Sequence, residues 1–441
     1  MTEGVVWKKI VGFAIPLLLG NLFQQLYNSV DAIVVGNFCG NDALAAVTSS
    51  GSLCHLFIGF FQGVFVGASV IIAHSYGARN QEKVDKVIHT TIFFSVVLGI
   101  ILTILGVIMT PTLLRWMGTP ENVMPNSIAY FKIYCAGILG LILYNTSNGI
   151  FQALGDSKHP LYYLIISSVT NVILDLVFVG LMDMGVSGAA LATIVSQFLS
   201  SMLGFAYLMS GKFVVKISLQ KVLKPDFGLL KQVVNMGFPS GIQNSVTAIA
   251  NVVVQSNINA FGDLAMAGCG SYMKIQGFVF LPIMSLSMAL STFVSQNIGA
   301  DKMDRVKKGA KEATVLAVIM AQAFGIFMYF MAPFFVGLFT KEPEVIAYGV
   351  QYSKIDSLFY FALALSHMGA AILRGSGRTK VTMQVFLWDW CVFRIAYITL
   401  MVRVIPDIRT VFSAYPVTWM ISAIIFMAIV LKGDWLKKKI L

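Results

Sequence analysis

Two acidic residues, Asp31 and Asp175, lie inside long apolar stretches of the sequence. An ionised carboxylate at the centre of a membrane costs about 3 kcal/mol on insertion scales, so such residues are rare and usually functional. Burial and a neighbouring like charge both disfavour the ionised form, so a close pair of carboxyl groups can bind and release a proton. The same oxygen atoms can coordinate Na⁺, and residue types alone do not choose between the two cations.

Polar side chains accompany both carboxylates at helical spacing. Gln24, Tyr27 and Asp31 follow the pattern i, i+3, i+7, which places them on one face of a helix. Asn171 and Asp175 follow the pattern i, i+4 and share a face in the same way. Each carboxylate is therefore expected to stand among groups that can hydrogen-bond to it.

Two further apolar stretches carry a polar face. Asn145 and Asn148 have the spacing i, i+3, and Thr193 and Gln197 have the spacing i, i+4. If all four faces point into one buried pocket, the fewest polar groups are left facing lipid. The alternative is that these amides and hydroxyls only form packing hydrogen bonds between neighbouring helices.

Pro16 interrupts the first apolar stretch, and Gly20 follows one turn later. Proline removes a backbone hydrogen bond and kinks a helix. Asp31 lies about four turns further along the same helix. We hypothesise that protonation of Asp31 changes the bend at Pro16 and reshapes the pocket. An identical first span at low and high pH would refute this, and a static kink is the alternative.

The elements that position these residues must be membrane helices. Hydrophobic residues make up 57% of the 441 residues, and charged residues only 12%, about half the share found in soluble proteins. This balance excludes a water-soluble enzyme, a disordered chain and a disulfide scaffold. The net charge of +11 indicates basic residues retained at the cytoplasmic surface, and we expect no nucleic-acid partner.

Apolar stretches separated by polar breaks predict an all-α membrane protein with twelve transmembrane helices. No break is long enough for a soluble domain. The predicted spans are 10–36, 45–74, 86–110, 128–154, 160–182, 186–210, 228–258, 265–296, 309–337, 346–374, 380–403 and 411–432.

The distribution of basic residues orients the chain. With the N-terminus inside, 23 of the 31 lysines and arginines fall on the inner side of the spans and six on the outer side. The excess predicts that both termini are cytoplasmic. Lys274 and Arg394 remain, and both lie within predicted spans.

The two halves of the sequence repeat in a constant register. Gly77-Ala78 recurs as Gly299-Ala300, and Tyr130 recurs at the same offset as Tyr352. We therefore predict an N-lobe (1–210), a cytoplasmic linker (211–227) and a C-lobe (228–441). Six spans in each lobe make the lobes parallel, related by a pseudo-twofold axis along the membrane normal, with a central cavity typical of a transporter.

The C-lobe lacks the paired carboxylates. At the matching positions, Asp31 is replaced by Val254, Asn171 by Phe393 and Asp175 by Tyr397. Our ionisable candidates within the C-lobe spans are Asp389, Arg394 and Lys274, whose roles the sequence leaves open. We therefore predict an ion site in the N-lobe only.

Several segments together resemble one known family. They are PLLLGNLFQQLYNSVDAIVVGNFCG (16–40), DALAAV (42–47), GASVIIAHSYGA (67–78), NVILD (171–175), GAALATIVSQ (188–197) and LRGSGRTK (373–380). They are similar to the MATE (multidrug and toxic compound extrusion) family of transporters, and most of all to its DinF-like branch. The resemblance covers nearly the whole chain.

The resemblance implies roles for individual residues. It implies ion coupling, with H⁺ or Na⁺, at Asp31, Asn171, Asp175 and Thr193. It implies a substrate pocket lined by Gln24, Tyr27, Asn145 and Asn148, and a bending proline at Pro16. The NorM-like branch carries acidic residues where this chain has Thr247 and, near the second place, Leu363, which argues against a Na⁺ site in the C-lobe.

The expected function is a cation-coupled multidrug efflux antiporter that exports organic cations in exchange for H⁺ or Na⁺ by alternating access. We expect a monomer in the lipid bilayer of the plasma membrane, with no cofactor beyond the coupling ion. A lipid-linked precursor flippase is the first alternative, but it would need a more cationic cavity than Lys274 and Arg394 provide. A membrane enzyme is the second, but no nucleophile or metal constellation accompanies Asp31 and Asp175.

Overall fold

The computed structural model describes residues 1–211, 213–433 and 435, except for the side chains of 41–42, 44–45 and 48–58. Lys212 and Lys437–Lys439, which contribute to the predicted cytoplasmic excess, lie outside the described residues. The described chain is built from helices joined by short turns. Their bounds are α1 Val6–Cys39, α2 Asn41–Gly77, α3 Gln81–Trp116, α4 Met124–Ala136, α5 Ile138–Ala153, α6 Lys158–Asp175, α7 Gly185–Met209, α8 Leu219–Val222, α9 Phe227–Asn259, α10 Asp263–Gly299, α11 Met303–Val336, α12 Pro343–Asp356, α13 Tyr360–Gly375, α14 Thr379–Phe386, α15 Arg394–Val404 and α16 Ile408–Lys432.

The helices agree with an all-α, multi-span membrane protein. Among the described residues, ten helices are long and apolar enough to cross a membrane. The predicted span 128–154 is an eleventh if α4 and α5, which meet at a 48° bend, count as one. The predicted span 228–258 is the helix α9, but it does not reach the same apolarity. Its polar residues explain the shortfall, and they are Gln243, Asn244, Thr247, Asn251 and Gln255.

The residues divide into two packed units, which we name by the repeat that each contains. The first-repeat unit comprises Pro16–Tyr76 and Asn80–Gly237, where α3 packs on α4 and α5, and α7 on α4, α5 and α6. The second-repeat unit comprises Met1–Ile15, Gly77–Arg79 and the chain from Phe238 onward, where α13 packs on α10, α11 and α16.

Two of the borders between the units fall at or next to a proline inside a continuous helix. α1 changes unit at Pro16, and α9 changes unit at Phe238, next to Pro239. A proline inside a helix lacks one backbone hydrogen bond, so the helix bends there more easily than elsewhere. Each repeat therefore starts with a helix that has a built-in weak point.

Glycines allow close helix packing near one of these borders. A Cβ atom on Gly237 of α9 would lie 2.2 Å from the Val64 carbonyl oxygen of α2. A Cβ atom on Gly67 would lie 2.3 Å from the Gly237 nitrogen. The backbones of α2 and α9 touch here, as is common where small residues line a membrane-helix interface.

Three spans depart from regular α-helix near ionisable residues. A π-helical segment, Leu176–Leu181, begins directly after Asp175. A second π-helical segment, Leu387–Phe393, contains Asp389 and ends directly before Arg394. The 3₁₀ turn Ser357–Phe359 follows Asp356 at the junction of α12 and α13. Irregular turns inside helices are often found at functional sites.

Candidate functional site

The two predicted carboxylates lie on neighbouring elements of the first-repeat unit. Asp31 belongs to α1, beyond Pro16, and Asp175 is the last residue of α6. The Asp175 side chain is completely buried, with 0% of its surface exposed. The helices place the carboxyl groups within hydrogen-bonding reach of each other. The structure therefore brings these two predicted residues together, and their role as an ion site stays a prediction.

Three of the four carboxyl oxygens of the pair lack a hydrogen-bond donor among the described residues. Asp31 Oδ1 and both carboxyl oxygens of Asp175 are buried and accept no hydrogen bond from a described protein group. Two ionised carboxylates cannot hydrogen-bond to each other, because both are acceptors. The approach is favourable only if a proton is shared between them or a cation lies between them. The arrangement can therefore hold a shared proton or a bound cation.

Tyr27 links the carboxylates to the amides around them. Its hydroxyl group hydrogen-bonds with Gln24, one turn earlier on α1, and with Gln197 of α7, and it lies near Asp31 and Asp175. The predicted common face of Gln24, Tyr27 and Asp31 is therefore present in the structure. Gln197 shares a helix face with Thr193 but is not one of the site residues that the sequence predicts.

Asn171 and Thr193 supply further oxygen atoms. Asn171, one turn before Asp175, is 1% exposed, and neither atom of its amide group has a hydrogen-bond partner among the described residues. Thr193 is 7% exposed, and its hydroxyl donates to the Ala189 carbonyl at 3.1 Å on its own helix. Its lone pairs therefore remain available as acceptors. Carboxylate, amide and hydroxyl oxygens are the ligands that a hard cation prefers.

The two asparagines of α5 differ in their surroundings. Asn145 donates from Nδ2 to the Leu141 carbonyl at 2.8 Å, a bond within its own helix. Asn148 hydrogen-bonds with Tyr144, whose hydroxyl lies near Tyr27. Asn148 is thus connected to the group around the carboxylates, whereas the amide nitrogen of Asn145 serves its own helix. No pattern in the sequence distinguished Tyr144.

The second-repeat unit contains a different buried cluster. Arg394 at the start of α15 is 1% exposed and interacts electrostatically with Asp389 and with Asp356. Asp356 is not among the predicted candidates, although a carboxylate inside the predicted span 346–374 is the same signal that identifies Asp31. Lys274 lies apart, with its ammonium group 5.7 Å from the Phe339 ring centre.

Comparison with known proteins bears on the family of the chain and on its internal repeat. The MatE family model matches residues 16–177 and again residues 239–400. The two matches begin at Pro16 and at its counterpart Pro239, which confirms the predicted internal repeat. The probable multidrug resistance protein YoeA of Bacillus subtilis is 32% identical over 378 residues, covering 84% of this chain and 82% of YoeA.

Two solved structures have nearly the same fold. They are described as crystal structures of MATE in the bent and in the straight conformation. The bent form superposes with a TM-score of 0.92 and the straight form with 0.91, each at 25% identity. The alignments cover 98% and 99% of this chain and 97% and 98% of those chains, respectively.

Proposed function

Because the chain belongs to the MatE (MATE) family of transporters, and is therefore not an enzyme, we propose that it exports drug-like organic cations in exchange for a coupling cation. The name of YoeA, a probable multidrug resistance protein, supports the substrate class. Aromatic side chains, which make up 12% of the sequence, and the 22 methionines suit a pocket for bulky cations.

The observation that carries the coupling proposal is a close pair of carboxyl groups, three of whose four oxygens have no described hydrogen-bond donor. Asp31 and Asp175 approach each other, and buried oxygens on both lack a hydrogen-bond partner among the described residues. A bound coupling cation, H⁺ or Na⁺, stabilises the pair. When that coupling cation leaves, the two carboxylates become a site for an organic cation. Competition for the same negative charge would couple the two fluxes.

We propose Asp31, Asn171, Asp175 and Thr193 as the coupling site, with H⁺ and Na⁺ as the two candidate cations. A proton needs only the carboxyl pair. Sodium would also use the Asn171 amide oxygen and the Thr193 hydroxyl, which provide neutral oxygen ligands. Gln24, Tyr27, Asn145 and Asn148 would line the substrate pocket. A coupling site in the first repeat is also the basis for proposing the DinF-like branch.

We propose that the coupling step is transmitted through α1. Pro16 and Asp31 lie on the same helix, and α1 changes unit at Pro16. The existence of bent and straight forms of a related MATE protein supports a helix that has two stable shapes. Neutralisation of Asp31 would then favour one shape over the other.

We propose that the chain acts as a monomer in the plasma membrane with both termini in the cytoplasm. The lobes would span 1–210 and 228–441, with the linker at 211–227. The excess of basic residues on one side of the spans supports this orientation.

Transport by purified protein in liposomes tests the function. We expect export of a fluorescent organic cation driven by a pH gradient in sodium-free buffer, by a Na⁺ gradient, or by both. Asp31→Asn should abolish gradient-driven export. Thr247→Ala, which removes a polar side chain from α9, should not. Equal loss in both variants would contradict a coupling site in the first repeat. Wild-type protein that exports nothing under either gradient would contradict the multidrug proposal and favour the lipid-precursor flippase.

A further inference from the structure

The guanidinium group of Arg394 is enclosed by polar and aromatic side chains inside the second-repeat unit. Its Nε and Nη2 atoms donate to Thr418 Oγ1 at 3.2 and 2.7 Å, and Nη1 approaches Asn251 Oδ1 at 3.5 Å. The guanidinium carbon lies 5.0 Å from the Trp390 ring centre and 4.5 Å from that of Tyr415. Two aromatic faces, a hydroxyl and an amide oxygen therefore surround one cation.

The nearby carboxylates are only partly satisfied. Asp389 is 4% exposed, lies beside Ser422, and neither of its oxygens accepts a hydrogen bond of ordinary geometry from a described group. Asp356 is fully buried, and its Oδ2 accepts from Gln276 Nε2 at 2.8 Å while Oδ1 has no described partner. Among the described residues, neither carboxylate forms a direct ion pair with Arg394. Their attraction to Arg394 acts at longer range.

These groups have the composition of a site that recognises an organic cation. Aromatic faces attract a cation through their quadrupoles, and desolvation strengthens the attraction. Carboxylates nearby provide the counter-charge, and a few placed acceptors orient the planar group. The cation that fills the site belongs to the protein itself.

The repeat relates this cluster to the coupling site. In the register of the repeat, Tyr415 corresponds to Thr193 and Phe393 to Asn171, so Arg394 directly follows the counterpart of Asn171. At the corresponding place, the first repeat has two carboxyl groups and, among its described residues, no fixed cation beside them. The second repeat has aromatic residues and a permanently charged guanidinium group.

We propose that Arg394 is a tethered cation that fills a cation-binding site of the second repeat and so confines exchangeable cation binding to the first repeat. The consequence for coupling depends on the proposed exporter function, but the site itself does not. Removal of the guanidinium group leaves an aromatic, acidic cavity that accepts a free planar cation. The chemical class of that ligand is guanidinium and its small alkyl derivatives.

Chemical complementation tests the proposal on the purified, full-length protein in detergent. The probe is guanidinium chloride at millimolar concentration, compared with sodium chloride at the same ionic strength. We expect Arg394→Ala to show a saturable rise in Tm of several degrees with guanidinium only. Wild type and Arg403→Ala, which removes an exposed arginine from the same helix, should show no saturable rise. The added substitution Asp389→Asn should weaken the guanidinium effect in Arg394→Ala at least tenfold.

A second variant keeps the test decisive if Arg394→Ala does not fold. Arg394→Gln retains a hydrogen-bonding side chain but no charge, and it should show the same response to guanidinium. Folded Arg394→Ala or Arg394→Gln that gains nothing from guanidinium would overturn the proposal, as would an equal gain in wild type. Because binding is measured without transport, this result is independent of whether Asp31→Asn abolishes export.

Discussion

The two buried acidic clusters of this protein differ in one charge. Asp31 and Asp175 of the first-repeat unit approach each other, and no basic side chain of the described residues acts on the pair. Asp356 and Asp389 of the second-repeat unit share the field of Arg394. Buried carboxylates without a basic side chain nearby must be neutralised by a proton or another cation from solution. Carboxylates near a permanently charged arginine do not need a cation from solution. One repeat can therefore provide a site that exchanges cations with the solution, while the other repeat has a site occupied by its own arginine.

Local backbone irregularity accompanies both clusters. Asp175 directly precedes one π-helical segment, and Arg394 directly follows the other. A π-helical turn shifts the register of side chains on a helix face, so residues that would point to lipid can be turned towards a neighbouring helix. The same device thus serves a pair of acids in one repeat and a cation in the other.

Loss of either carboxyl group in the first repeat should have the largest effect. We expect Asp31→Asn and Asp175→Asn each to reduce gradient-driven export to the level of liposomes without protein, because one carboxyl group cannot form the pair. Binding of a fluorescent organic cation and the elution volume in detergent check that the variants are folded. If Asp389→Asn abolishes export while Asp31→Asn does not, the assignment of the two clusters is reversed.

Removal of the Arg394 guanidinium group should lower the stability of the protein and leave the coupling of transport intact. We expect Arg394→Ala to lower the free energy of unfolding by about 3 kcal/mol, because it leaves buried carboxylates without their counter-charge. Arg394→Lys should lose less, since the charge remains and only the planar stacking is lost. Thermal unfolding in detergent measures the difference. Equal stability of Arg394→Ala and wild type would show that the two clusters do not differ in the way described.

The prolines at the two unit borders should differ in their importance. We expect Pro16→Ala to slow export several-fold, because Pro16 lies on the helix that carries Asp31. Pro239→Ala should have a smaller effect, since α9 has Val254 at the position of Asp31. Initial export rates at equal protein content compare the two variants. A larger loss from Pro239→Ala would contradict transmission through α1.

The smallest effect is expected from one hydroxyl group. Tyr27→Phe removes hydrogen bonds to Gln24 and Gln197, and we expect about 1 kcal/mol of lost substrate binding, or roughly a fivefold higher KM. Tyr397→Phe, which removes a 3.0 Å contact with Ser413 at the counterpart of Asp175, is the matched control. Concentration dependence of export separates KM from kcat. An equal change in both variants would remove Tyr27 from the substrate pocket.

The sequence was sufficient to predict the helices and to bring together most residues of the candidate site. Apolar stretches located the helices, and a carboxylate within such a stretch was a reliable signal because burial of charge is costly. Spacing along α1 correctly placed Gln24, Tyr27 and Asp31 on one face. The internal repeat was visible because loop residues recurred at a constant offset.

The remaining features depend on tertiary packing. The bend between α4 and α5 and the two π-helical segments are set by neighbouring helices, so no local pattern in the sequence announces them. The contact of Tyr144 with Asn148 arises in the same way. Likewise, nothing in the spacing of Trp390, Arg394 and Tyr415 indicates that two rings enclose one guanidinium group, because Tyr415 belongs to another helix.

Proton release from purified protein tests the central claim most directly. In sodium-free, weakly buffered detergent solution, a saturating organic cation is added and the released protons are counted with a pH indicator, then the measurement is repeated with Na⁺ present. We predict release from wild type and from Asp389→Asn, none from Asp31→Asn, and a smaller release in Na⁺ if sodium occupies the same site. Release that persists in Asp31→Asn and disappears in Asp389→Asn would place the exchangeable cation in the second repeat and contradict the account.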